Sequence, residues 1–107
     1  MIVVADSPTA PATVLTLDHF APLVGQHFEV LADGERSIAA ALVEAAPLGL
    51  PTAQGRAPFT LVFEAPATTV LSQRSYALLH PAFDSLQIFL VPVGRSPAGI
   101  RYEAVFN

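Results

Sequence analysis

From residue 26 onward the apolar side chains recur at every second position, in short runs cut by prolines and glycines. Phe28 and Val30 point one way and His27 and Glu29 the other. Phe59, Leu61 and Phe63 share a face, as do Tyr76 and Leu78, and as do Tyr102, Ala104 and Phe106. A period of two sorts side chains onto opposite sides of an extended chain, whereas a helix would scatter them around its axis. This patterning, more than any motif, restricts the chain to strands that bury one face.

The punctuation fits the period. Asp33-Gly34 is a short-range hairpin signal, because glycine accepts the positive φ of a primed turn. The return strand, roughly Arg36 to Ala45, is apolar on both faces, and Pro47 to Pro58 reads as a loop. Ala65-Pro66 ends the Phe59–Phe63 strand, and a further strand runs from about Arg74 to Leu79. His80-Pro81 closes that strand, with Asp84-Ser85 as the turn beyond it. Leu86 to Val93 and Ile100 to Phe106 form a final hairpin across Gly94–Gly99. Ahead of the strands, Leu17, Phe20, Leu23 and Val24 share a helical face. Thr16 is placed to cap that element, Asp18 suits its first turn, and Pro22 and Gly25 keep it short. The expected fold is therefore all-β: a small antiparallel barrel or sandwich of about six strands with one short N-terminal helix. Residues 1–14, with the proline-rich stretch Ser7 to Thr13, read as a flexible arm, and 15–107 as a single β-domain.

Composition removes several classes of function. With 107 residues, 52% of them hydrophobic, the chain has material for one core but is not disordered throughout. It has no cysteine, so disulfides and thiolate metal sites are excluded. Five arginines, no lysine and a net charge of −4 oppose binding to nucleic acid. The longest apolar runs stop at Glu44 or contain Pro92, well short of the ~20 residues a spanning helix needs. Neither membrane insertion nor a secretory signal is expected, and cytoplasmic residence is the default expectation.

Chemical motifs are sparse. His19, His27 and His80 lie at no metal-binding spacing, no nucleophile elbow occurs, and the glycines form no phosphate loop. No cofactor or metal is expected. Glu29, Glu44, Glu64 and Glu103 each fall in or beside a strand, where solvated sheet faces explain them better than a glycosidase pair. The only acid–base set available to an enzyme would be His80, Tyr76 and a strand carboxylate. What stands out is Gln73, Arg74 and Tyr76 with His80, together with Tyr102 near the C-terminus. Arginine and tyrosine combine area with directed hydrogen bonds and are enriched at the centres of interfaces. These five are the candidate binding residues. The plainer account of Tyr76 and Tyr102 is that they sit at the core edge with their hydroxyls at the rim.

The segments Phe59-Thr-Leu-Val-Phe-Glu-Ala-Pro66, Leu71-Ser-Gln-Arg-Ser-Tyr76, His80-Pro81, Ile88-Phe-Leu-Val-Pro-Val-Gly94 and Tyr102-Glu-Ala-Val-Phe-Asn107 form a combined pattern with the opening Leu17–Phe28. It resembles an uncharacterised family of roughly hundred-residue bacterial proteins, a domain of unknown function, and covers nearly everything from Leu15 onward. Ala82-Phe83-Asp84 departs from it, standing where a leucine-glycine type of turn is expected. The family brings no catalytic residues. Its members are sometimes encoded near proteins resembling phage tail-collar or tail-fibre components, which implies an accessory or structural role in an assembly.

Together these observations predict a non-enzymatic interaction or assembly domain with protein partners. The alternative is a small-molecule or glycan-binding module that uses the mouth of a small barrel. The two-faced apolar strand Ser37–Val43 adds an expectation of self-association, a homodimer being the simplest form.

Overall fold

The computed structural model describes residues 15–33, 36–49, 57–68 and 70–106. The N-terminal arm, the Gly34 turn and positions 50–56 of the expected loop lie outside the described residues. Six strands form a closed antiparallel barrel: β1 (His27–Asp33), β2 (Arg36–Pro47), β3 (Phe59–Ala65), β4 (Arg74–His80), β5 (Phe83–Ser96) and β6 (Gly99–Phe106). Their order around the wall is β1-β2-β3-β6-β5-β4. The barrel is thus two three-stranded meanders, β1-β2-β3 and β4-β5-β6, joined edge to edge along β3–β6 and β1–β4.

Each meander turns a corner in its middle strand. β2 pairs with β1 through Arg36–Ala41 and with β3 through Ala41–Pro47, the register slipping between Leu42 and Glu44. β5 pairs first with β4 and then, from Val91, with β6, slipping between Pro92 and Gly94. The extra residues are Val43 and Val93. A bulge bends its strand and increases the local twist, which is how so few strands close a barrel. Pro92 sits beside the second bulge, where a missing N–H does least harm to the ladder.

The bulge in β2 limits how far its two-faced apolar stretch runs. Ala40 and Leu42 are buried in the core, and past Val43 the phase shifts so that Glu44 is exposed. Past Arg36, the exposed side chains of its first half are the small Ser37 and Ala39. Two turns are tighter than the residue types suggested. His80 pairs directly with Phe83, so Pro81 and Ala82 make the β4–β5 turn, and Asp84-Ser85 lies within β5. Similarly, Ser96 pairs with Gly99 across Pro97-Ala98. Gly99 has φ +151°, and a Cβ there would collide with the Ala65 carbonyl oxygen.

The interior follows the alternation. Phe59, Leu61, Phe63 and Ala65 of β3 face Tyr102, Ala104 and Phe106 of β6 inside the wall, while Thr60, Val62 and Glu64 are only partly buried. No polar or charged side chain is buried among the described residues except the tyrosines. Burial of each large side chain contributes about 1.5–3 kcal/mol.

Both ends of the barrel are covered. At one end the predicted helix forms in two pieces, α1 (Leu17–Phe20) and a 3₁₀ turn (Ala21–Leu23). The break falls where Pro22 enters, since proline suits a first turn and not a helix interior. Val24, expected on the apolar face, is 44% exposed. Thr16 N donates to His19 Nδ1 at 2.9 Å and His19 N to Thr16 O at 3.0 Å, closing the helix start reciprocally. The fully buried Phe20 enters the barrel with ring centroids 5.0, 5.6 and 5.9 Å from those of Phe83, Phe106 and Phe59. At the opposite end, the crossover from β3 to β4 brings Leu71 into the core.

Candidate functional site

The candidate residues fall at opposite ends of β4 and do not converge. Tyr76, Arg74 and Gln73 stand at the crossover end with Tyr102, and His80 lies at the helix end. At about 3.3 Å per residue, the seven residues of β4 separate the two groups by roughly 20 Å.

At the crossover end, both tyrosines hold the chain that covers the barrel. Tyr102 is 1% exposed, and its hydroxyl accepts a hydrogen bond from Leu71 N at 2.9 Å. The Tyr76 hydroxyl donates to the Ser72 carbonyl at 2.6 Å. A crossover outside the sheet has no ladder to satisfy its backbone, and these side chains supply what is missing. Arg74 Nη2 donates to the Ala32 carbonyl at 2.6 Å, and its guanidinium lies 4.8 Å from the Tyr76 ring centroid. Ala32 is the residue at which β1 slips against β2, so Arg74 satisfies a carbonyl at a bulge. Gln73 is exposed at the bend before β4.

His80 is equally engaged. Its Nδ1 accepts from Ala82 N at 3.0 Å, closing the β4–β5 turn. With Nδ1 an acceptor, the neutral ring carries its proton on Nε2, which donates to Gln26 Oε1 at 2.8 Å. One face of the ring stacks on Phe28, centroids 4.5 Å apart. His80 and Tyr76 therefore form no common acid–base centre, and each is occupied in turn or crossover geometry.

One polar constellation escaped the sequence reading. Glu64 on β3 accepts hydrogen bonds from the Ser96 hydroxyl on β5 and, at 3.2 Å, from Arg101 Nε on β6. The Ser96 bond is the main reason its carboxyl titrates below the ordinary 4.5, with Arg101 reinforcing the shift. Arg101 is 49% exposed and Glu64 15%, so water screens much of the ion pair. Chemically the group is a strand tie at the crossover end: the serine faces a carboxylate with no imidazole among its hydrogen-bond partners. Nothing in the spacing of residues 64, 96 and 101 signals it, because strand pairing alone brings them together. Glu103, by contrast, pairs with Val62 and Val91, so the strand glutamates do not pair with one another there.

Among the described residues, no three His, Asp or Glu side chains gather into a group able to hold a metal ion, and no helix is long and apolar enough to cross a membrane. The crossover end has a distinct surface, however. Arg36, Arg74, Arg95 and Arg101, the four arginines among the described residues, all belong to strand ends on that side. Val70 and Val93, 55% and 53% exposed, lie in the crossover and at the β5 bulge.

No curated protein and no solved structure matches the chain significantly. A family model described as "Domain of unknown function (DUF6916)" matches residues 15–106, which takes in the short helix and all six strands of the barrel. The chain belongs to this domain family.

Proposed function

We propose that this barrel is a non-catalytic interaction domain that docks protein partners with its outer surface at the crossover end. The observation that carries the reading is the division of labour among its polar residues. Tyr76, Tyr102, Arg74 and His80 are engaged in holding the barrel together, while Val70, Val93 and Arg95 project from it. Exposed apolar side chains among arginines are the composition of recognition surfaces. Glu64 offsets part of the positive charge, so the face is mixed in sign.

An accessory role in a phage-tail-like or cell-surface assembly is the finer form of this proposal, and it rests on the family resemblance. The ligand-binding alternative has less support, because Phe20 occupies one mouth of the barrel and the crossover covers the other. Cross-linking followed by affinity capture from the native cell tests the reading. Wild type should retain a defined partner, or a second copy of itself, that a Val70→Glu/Val93→Glu/Arg95→Glu variant loses while its circular dichroism is unchanged. Equal capture by both proteins would refute it, as would turnover of a substrate.

A further inference from the structure

The two joints between the meanders are unequal. β3 and β6 pair along their full lengths, from Phe59–Phe106 to Ala65–Ile100. β1 and β4 pair only at Glu29–Leu79, Val30–Leu78 and Leu31–Ala77 among the described residues. Each end of this short seam is fastened by a side chain. Arg74 reaches from β4 to the Ala32 carbonyl, one residue beyond the last pair on β1. His80 reaches from β4 to the Gln26 side chain, just ahead of β1.

We infer that the β1–β4 seam is the line along which the closed barrel opens, and that Arg74 and the His80–Gln26 pair are its two latches. Local opening free energies follow the hydrogen bonds and buried apolar surface given up. Parting β1 from β4 releases a short ladder and uncovers chiefly Phe28, Val30 and Leu78. Parting β3 from β6 would break the longer ladder and the Phe59–Phe106 stack, whose centroids are 4.4 Å apart. The barrel therefore has a built-in direction of opening, which presents two strand edges while β3–β6 keeps the meanders attached. Arg74 and His80 act as positioning residues in this device.

Because the chain lacks cysteine, a defined crosslink can be placed across the seam. Glu29 and Leu79 face each other there and are exposed, so a Glu29→Cys/Leu79→Cys variant can be locked by oxidation and released by reductant without touching the core. Hydrogen exchange read by mass spectrometry is the assay. In the native protein, peptides covering β1 and β4 should exchange faster than those covering β3 and β6. Oxidation of the double-cysteine variant should slow the first pair to the rate of the second, and reduction should restore the difference. Arg74→Ala or Gln26→Ala should speed exchange in β1 and β4 by on the order of tenfold, the scale of one hydrogen bond to a charged or well-held group, leaving β3 and β6 unchanged. Uniform exchange in all four strands, equal acceleration of all four by either variant, or exchange indifferent to the crosslink would overturn the inference.

Discussion

Removing a single oxygen atom tests whether Tyr102 belongs to the scaffold. In Tyr102→Phe the ring keeps its buried place in β6, opposite Phe63, and the only atom lost is the hydroxyl that accepts from Leu71 N at 2.9 Å. Leu71 is itself 4% exposed, so its N–H has no ready access to solvent. Leaving a buried donor unsatisfied costs about 1–3 kcal/mol. Against a total stability of roughly 5–15 kcal/mol for a natural domain, that loss should be plain in urea unfolding as a lower midpoint with an unchanged slope. For a domain of this size the melting temperature should fall by about 4–8 °C per kcal/mol. Tyr76→Phe provides the comparison. Its hydroxyl donates to the carbonyl of Ser72, an exposed residue, where water can replace it, so the loss should be about 0.5–1.5 kcal/mol. If Tyr102→Phe proved as stable as wild type, or lost less than Tyr76→Phe, the crossover would not be held as described. Unchanged stability with loss of a captured partner would return Tyr102 to the binding surface.

Gly99→Ala should be far more disruptive than Gly94→Ala, because the new Cβ meets the Ala65 carbonyl at 99 and open space at 94. Thermal melts should show a loss of about 1–3 kcal/mol or more for the first and less than ~0.5 kcal/mol for the second. Phe20→Ala should cost about 3–5 kcal/mol and bind a hydrophobic dye, since the barrel end loses its stopper; a fully native melt would contradict that role. The pH dependence of Glu64 has a definite sign. Its folded carboxyl titrates below its unfolded value of 4.5, so its contribution is complete above that value and disappears as pH falls through the lowered folded one. Glu64→Gln and Ser96→Ala should each flatten stability curves in that acid window, and curves parallel to wild type there would count against the Ser96–Glu64–Arg101 tie.

The local rules were readable because strands with one wet face record their orientation in the chain. The alternation of Phe59, Leu61 and Phe63, or of Tyr102, Ala104 and Phe106, states which residues face inward wherever the strand lies. Pro22 likewise announced a short helix. What alternation cannot state is which strand neighbours which, because hydrophobic burial is non-directional and an inward phenylalanine suits a sandwich or a barrel equally. Closure through β3–β6 and β1–β4 was settled only by the tertiary fold. The same holds for Val43 and Val93, whose bulges reverse which face of β2 or β5 is wet and are invisible to a strict period of two. The candidate residues show the limit most clearly. Arg74, Tyr76, His80 and Tyr102 were recognisable as unusual, but their partners Ala32, Ser72, Gln26 and Leu71 are fixed by packing across the barrel ends. A polar side chain's role is set by the group it meets, and for contacts made between strands that meeting is decided by topology.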